Sequence, residues 1–281
     1  MLFQTIFCNL ANYHGSGKEY LVADLDSNGW PQTGRDKAVA AMRKGFAFHY
    51  AGDQHLASIV HHGIDAWGDA GFSFCVPSIS AGYPRSWVPD VEGREVKNRP
   101  NANLPNTGDY TEGLGNKVRV HAIANPEEKN RTGTPEMLGH DKASGHGIVR
   151  LKRSSRQITM ECWKLLFDAN NPKQGDQFPG WPKTIKLEAN YGRKAVAHLP
   201  TLKVSGMDKP VVKVIDDTTG DIVYTLRIGG KSFRPKVFSL NPHTVIIGEP
   251  SLGKIQRFDG LVPAKAKRKD AKGAEVLEVQ F

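Results

Sequence analysis

Residues 26–55, DSNGWPQTGRDKAVAAMRKGFAFHYAGDQH, combine an oxygen-rich loop, a helical pattern, a short apolar segment and a second polar loop. Apolar side chains recur at helical spacing in residues 32–46, and Pro31 stands where a helix can begin. The segment FAFHYAG then predicts a strand that ends at Gly52. In layered α/β folds ligands gather at the carboxyl ends of such strands. The stretch therefore predicts an α/β fold with a ligand site just after Gly52.

The loop after this strand carries a carboxylate and an imidazole two residues apart. Asp53 and His55 flank Gln54, so on an extended loop both side chains can approach one centre while Gln54 points elsewhere. A carboxylate and an imidazole together suit iron, zinc or manganese. Asp26 lies in the upstream oxygen-rich loop, and loops from consecutive units meet at the same edge of a sheet. The alternative is a polar turn with a solvated Asp.

The segment DSNGWPQTGRDKAVAAM, followed by a strand and GDQH, resembles the later half of PhoD-like phosphatases. These form the alkaline phosphatase D branch of the calcineurin-like metallophosphoesterases, whose pattern is an Asp-rich loop, a helix, a strand and Gly–Asp–x–His. GFSFCVPSISAGYPRSWVP and GNKVRVHAIANP resemble segments that follow in one subgroup. The resemblance implies a dinuclear centre of Fe, Ca, Zn or Mn ions that hydrolyses phosphoric mono- or diesters.

The resemblance also implies roles for individual residues. By position, Asp53 and His55 match the last metal-binding motif and are the expected catalytic and metal-binding pair. Asp26 and His14, the latter in NYHG, are looser matches for further metal ligands. Arg85, in GYPRSWVP, is a candidate for binding the substrate phosphate, and the alternative is a surface Arg that packs on an aromatic neighbour.

The chain also departs from the family pattern. A complete metallophosphoesterase supplies earlier ligands from Asp–x–His, Gly–Asp–x–x–Asp and Gly–Asn–His/Asp motifs, and none of these precedes residue 53 here. The expectation is therefore the C-terminal portion of the enzyme, which needs a missing N-terminal half or a partner chain. Family members are commonly exported, but the apolar N-terminal segment lacks a basic region and a cleavage-type ending.

Changes of composition along the chain predict four parts. Residues 1–166 form the metallophosphoesterase-like domain, the distal half of that family's sandwich core, and 167–183 form a linker. Short alternating strands in 184–263 predict a small all-β, sandwich-like module. Residues 264–281 are a basic tail.

The segment HLASIVHHGIDAWGDA, which begins at His55, predicts a short helix with apolar residues on one side and a polar pair, His61 and His62, near its end. The three cysteines are widely spaced in apolar settings, which favours buried thiols over a disulfide. In 139–147, His140 and His146 lie among glycines and could approach the ligand edge.

The formal net charge of +9 can attract anionic partners, but part of the excess lies in residues 264–273, whose pattern favours a solvated, flexible tail instead. Aromatic residues are not interleaved with the lysines of the tail, so no specific nucleic-acid partner is expected. No apolar run is long enough to predict a membrane span. Two alternatives to the hydrolase remain: a non-catalytic relative that binds a partner through its β module, and a polyanion-binding protein.

Overall fold

The computed structural model describes residues 1–79, 82–127, 133–264 and 275–281. The chain divides into a first unit, residues 1–43 with 47–192, and a second unit, residues 44–46 with 193–281.

The boundary between the units falls after Gly192, not in the predicted linker. Residues 167–183 belong to the first unit, because Phe178 and Trp181 are buried in its core. The strand Lys183–Lys186, expected to open the β module, pairs instead within the first unit.

The described residues are mostly β-strands, with α-helices at Gln32–Lys44 (α1) and Pro135–Asp141 (α2). The predicted α/β class is therefore too helical, and a β-rich fold is the correct coarse description. Strands β1 to β11 of the first unit are Tyr13–His14, Glu19–Tyr20, His49–Ala51, Ser58–His62, Phe72–Cys75, Arg85–Ser86, Gly108–Thr111, Lys117–Ile123, Gly145–Lys152, Gln157–Lys164 and Lys183–Lys186. Strands β12 to β20 of the second unit are Ala197–His198, Thr201–Ser205, Val211–Asp216, Ile222–Arg227, Ser232–Phe233, Lys236–Val237, His243–Glu249, Lys254–Leu261 and Val276–Gln280. Short 3₁₀ helices lie at Leu187–Tyr191 and Pro250–Leu252.

Helix α1 forms where the helical spacing predicted it. Its buried apolar side chains Val39 and Met42 pack against Phe7 and Ala70. The segment that contains Phe7 is apolar, and its sequence predicts a strand over residues 3–10, but the structure shows it to be mostly irregular. The amphipathic helix therefore covers an irregular segment of the first unit.

The main sheet of the first unit has the strand order β3-β5-β4-β8-β7. Strands β3 and β5 are parallel, and the remaining pairs are antiparallel. The helix predicted from His55 onward is wrong, because Ser58–His62 forms the central strand β4. Ile59 packs into the core on one face and Val60 into the core on the other. Burial on both faces removes the polar alternation that identifies a strand in sequence, and β-branched side chains fit this setting well.

A second sheet, β11-β10-β9, packs on one face of the main sheet. Ile158, Met160 and Cys162 of β10 lie in one core with Phe72 and Phe74 of β5. In residues 145–163 two apolar segments flank the turn RSSR, which predicts two strands, and β9 and β10 form this hairpin. The first unit is thus held together by apolar contact between two sheets.

The second unit also has two sheets that share a core, with strand orders β15-β14-β18-β19 and β16-β13-β20. Val212 and Ile247 of the first sheet are buried with Leu202 and Val279 of the second, which is a sandwich-like arrangement. The end of the predicted basic tail is strand β20, which pairs in parallel with β13, whereas residues 265–274 lie outside the described residues.

Within the described residues, no helix has the length and apolar character needed to cross a membrane. Cys8, Cys75 and Cys162 are free, buried thiols, as their apolar settings predicted.

Candidate functional site

The turn that follows β3 presents Asp53 and His55 on either side of a buried glutamine. Asp53 and His55 both have left-handed backbone conformations, with φ of 68° and 50°. Gln54 is buried, and its side-chain amide donates to the Thr5 hydroxyl at 2.7 Å and to the Asp26 carbonyl oxygen. Gln54 therefore anchors the turn, and the side chains of Asp53 and His55 take no part in these two hydrogen bonds.

The same amide joins this turn to the oxygen-rich loop that precedes α1. In that loop the Asp26 backbone N–H donates to the Asp24 carboxylate at 2.9 Å. The two carboxylates differ in exposure: the Asp24 side chain is 7% exposed and that of Asp26 is 65% exposed. The contact that Gln54 makes places the loop beside the turn, but the strand that precedes this loop, β2, belongs to the small sheet of β1, β2 and β6 and not to the sheet that contains β3.

Arg85 joins both of these segments to a small antiparallel sheet. It lies on β6 directly opposite His14 of β1. Its Nε and Nη2 atoms lie 2.9 Å from carboxylate oxygens of Asp24 and Asp26 respectively. Nη1 makes a longer contact, 3.5 Å, with the Asp53 carbonyl oxygen. The alternative of a surface Arg is wrong, because this side chain is 8% exposed; a phosphate would have to compete with two carboxylates for it.

The two site histidines each use one ring nitrogen to contact a protein oxygen. Nδ1 of His55 lies 2.8 Å from the Tyr83 carbonyl oxygen, and Nε2 of His14 lies 3.2 Å from the Asp24 carboxylate. A carbonyl oxygen only accepts, so in the neutral ring of His55 the proton is on Nδ1 and Nε2 retains its lone pair. The contact of His14 with Asp24 lacks hydrogen-bond geometry, so it does not assign the tautomer of His14.

Tyr83 contacts both of these imidazoles. Its ring meets that of His14 edge to face, with 5.8 Å between centroids, and its carbonyl oxygen accepts from His55. Tyr83 and Asp24 were not among the predicted site residues. Their proximity to Arg85 and Asp26, two positions away in each case, was the available signal.

The predicted donors come together, but not as a metal cluster. The described part of the chain contains no group of three or more His, Cys, Asp or Glu side chains arranged to hold a metal ion. Asp26 and the neighbouring Asp24 are paired with Arg85. As placed here, the described residues do not fit the predicted dinuclear centre.

The adjacent histidines of the main sheet lie in its interior. His61 and His62, expected as a polar pair near a helix end, are buried on β4. His61 stacks on Phe72 with ring centroids 4.0 Å apart, and burial lowers its pKa to about 4. Arg35 donates to the Phe7 and Gly63 carbonyl oxygens and lies 3.3 Å from Nδ1 of His62.

The glycine-flanked histidines of 139–147 have partners of their own. His140 accepts from the Leu166 backbone N–H at 3.3 Å, and His146 packs on the Phe167 ring. Neither has a described contact with the predicted site residues.

The chain matches no family model, no curated protein and no solved structure. The interpretation of the site therefore depends on the residues and their contacts.

Proposed function

We propose that this chain carries part of the active site of a PhoD-like, metal-dependent phosphoric ester hydrolase. The observation that supports the proposal is the meeting of His14, Asp26, Asp53 and His55, from three separate segments, around Tyr83 and Arg85. Metal-binding histidines usually donate their second N–H to a carboxylate or a backbone carbonyl, as His55 does here. The proposal includes the finer fold assignment, in which the two packed sheets of the first unit correspond to the distal half of the metallophosphoesterase core.

The side chains with unengaged donor atoms define what this chain contributes. His55 offers Nε2, and Asp53 offers a carboxylate whose described partner is Gln4, at 3.2 Å. Bound metal ions would supply charge neutralisation on the phosphate oxygens and an activated water. Because the described donors do not complete such a site, the remaining ligands come from a further protein segment or a partner chain in this proposal.

The test is hydrolysis of 4-nitrophenyl phosphate and bis(4-nitrophenyl) phosphate by the full chain, with Mn²⁺, Fe³⁺, Ca²⁺ or Zn²⁺ added separately. Because the described donors are incomplete, we expect weak metal binding and slow metal-dependent turnover, and both should fall in His55→Ala, with kcat/KM lower by about a hundredfold or more. The matched control is His198→Ala, which removes an imidazole from the second unit and should retain full turnover. Equal turnover of His55→Ala and the wild type would contradict the proposed site.

A non-catalytic binding protein is the second candidate. It is favoured by the absence of a three-donor group in the described residues and by the pairing of Arg85 with both loop carboxylates. The same experiment separates the two, because this candidate predicts neither turnover nor bound metal with any of the four ions. In that case the β module of the second unit would be the part to test for a binding partner.

A further inference from the structure

Asp24 is a buried carboxylate that needs a positive partner. Its side chain is 7% exposed, and an isolated buried carboxylate is strongly disfavoured. Its oxygens lie near three donors: the Asp26 backbone N–H and Arg85 Nε at 2.9 Å, and His14 Nε2 at 3.2 Å. The guanidinium of Arg85 is the permanent positive charge among them.

The fork of Arg85 also explains why one cation serves two carboxylates. A guanidinium presents several N–H donors in a fixed, forked plane; here Nη2 donates to Asp26, whereas Nε lies 2.9 Å from the Asp24 carboxylate as an ion pair without hydrogen-bond geometry. A lysine ammonium is a compact point charge and does not present this fork. The strand pairing of β6 with β1 places Arg85 opposite His14, so the guanidinium and the imidazole both reach Asp24.

We propose that Arg85 is a positioning residue whose guanidinium provides the positive charge that a metal ion would otherwise provide to Asp24 and Asp26. Asp24 and Asp26 are then not metal ligands in this protein, which revises the role first predicted for Asp26. This inference depends on the ion pairs and not on the proposed hydrolase activity.

Removal of the guanidinium tests the inference. Arg85→Ala leaves two carboxylates without their cation, so it should unfold at a lower urea concentration than the wild type. Added Mn²⁺ or methylguanidinium should raise the unfolding midpoint of Arg85→Ala by more than it raises that of the wild type. By equilibrium dialysis, Arg85→Ala should bind Mn²⁺ about tenfold or more tightly than the wild type does. Arg85→Lys should give intermediate values.

Two further variants exclude a general packing effect. Arg150→Ala removes a guanidinium whose side chain is 63% exposed and paired with Glu161 on the second sheet, and it should show the same cation response as the wild type. Asp24→Asn combined with Arg85→Ala removes both members of the pair and should be more stable than Arg85→Ala alone.

The proposal is overturned if Arg85→Ala keeps the wild-type midpoint and gains no Mn²⁺ binding. It is also overturned if the double variant is no more stable than Arg85→Ala. Failure of Arg85→Ala to fold, with recovery of folding in the double variant, would support charge compensation. Metal-dependent turnover is not measured in these experiments, so their outcome is separate from that of the hydrolase test.

Discussion

Acidification should destabilise the first unit, because its main sheet encloses neutral imidazoles. Burial lowers the pKa of His49 and of His61 to about 4, and that of His121 to about 3. The ordinary value of 6.5 applies once the chain unfolds. The unfolded chain therefore binds more protons than the folded one at mildly acidic pH. Stability is fully present above the unfolded pKa and is lost as the pH falls toward the folded pKa.

The size of this loss follows from the pKa differences. At about pH 5 an unfolded imidazole is almost fully protonated, whereas a folded one with pKa near 4 is almost neutral. Each such imidazole therefore lowers the free energy of unfolding by about 2 kcal/mol relative to neutral pH. The loss of unfolding free energy from His49, His61 and His121 together is about 6 kcal/mol. A whole domain is stable by about 5–15 kcal/mol, so the first unit should be close to unfolding at that pH.

Tryptophan fluorescence reports this transition, because every tryptophan of the chain lies in the first unit. They are Trp30, Trp67, Trp87, Trp163 and Trp181. Urea unfolding at constant ionic strength, between about pH 7 and about pH 5, isolates the imidazoles because carboxylates titrate mostly below this range. An unfolding midpoint that does not change over this range would refute the reasoning.

A single substitution sharpens the test. Neither ring nitrogen of His121 has a hydrogen-bond partner among the described residues. His121→Leu should therefore fold, and it should reduce the loss of stability between the two pH values by about 2 kcal/mol. His198→Leu, in the second unit, should leave the tryptophan-reported pH dependence unchanged.

Two other predictions concern the core and the thiols. Met160→Ala should lower the free energy of unfolding by about 2–5 kcal/mol, because this fully buried side chain fills the space between the two sheets of the first unit. Leu151→Ala, at a position 73% exposed, should change it by less than about 0.5 kcal/mol, and similar urea midpoints for both variants would contradict the assigned core. Cys8, Cys75 and Cys162 should resist a thiol-reactive aromatic disulfide until denaturant is added, because burial raises their pKa values, that of Cys75 to about 12. Rapid labelling of the native protein would show that a thiol is accessible.

The sequence predicted the elements whose pattern is local. Helix α1 has a one-sided apolar pattern, and the hairpin of β9 and β10 has a turn between two apolar segments. Central strand β4 was missed, because apolar side chains bury both of its faces, Ile59 in one core and Val60 in another, and this removes the polar alternation that identifies a strand. The sequence pattern therefore did not distinguish the buried imidazoles of His61 and His62 from those of surface histidines.

The sequence by itself determined which chemical groups stand near the end of β3: the carboxylates of Asp26 and Asp53 and the imidazole of His55. The phosphatase assignment that these groups suggested stays a prediction. Only the tertiary structure decided which charged groups form ion pairs. Arg85 contacts Asp24 and Asp26 because β6 pairs with β1, and these two short strands lie far apart in the chain. Ion pairs depend on distance in space and on burial, and neither quantity is set by the spacing of residues along the chain.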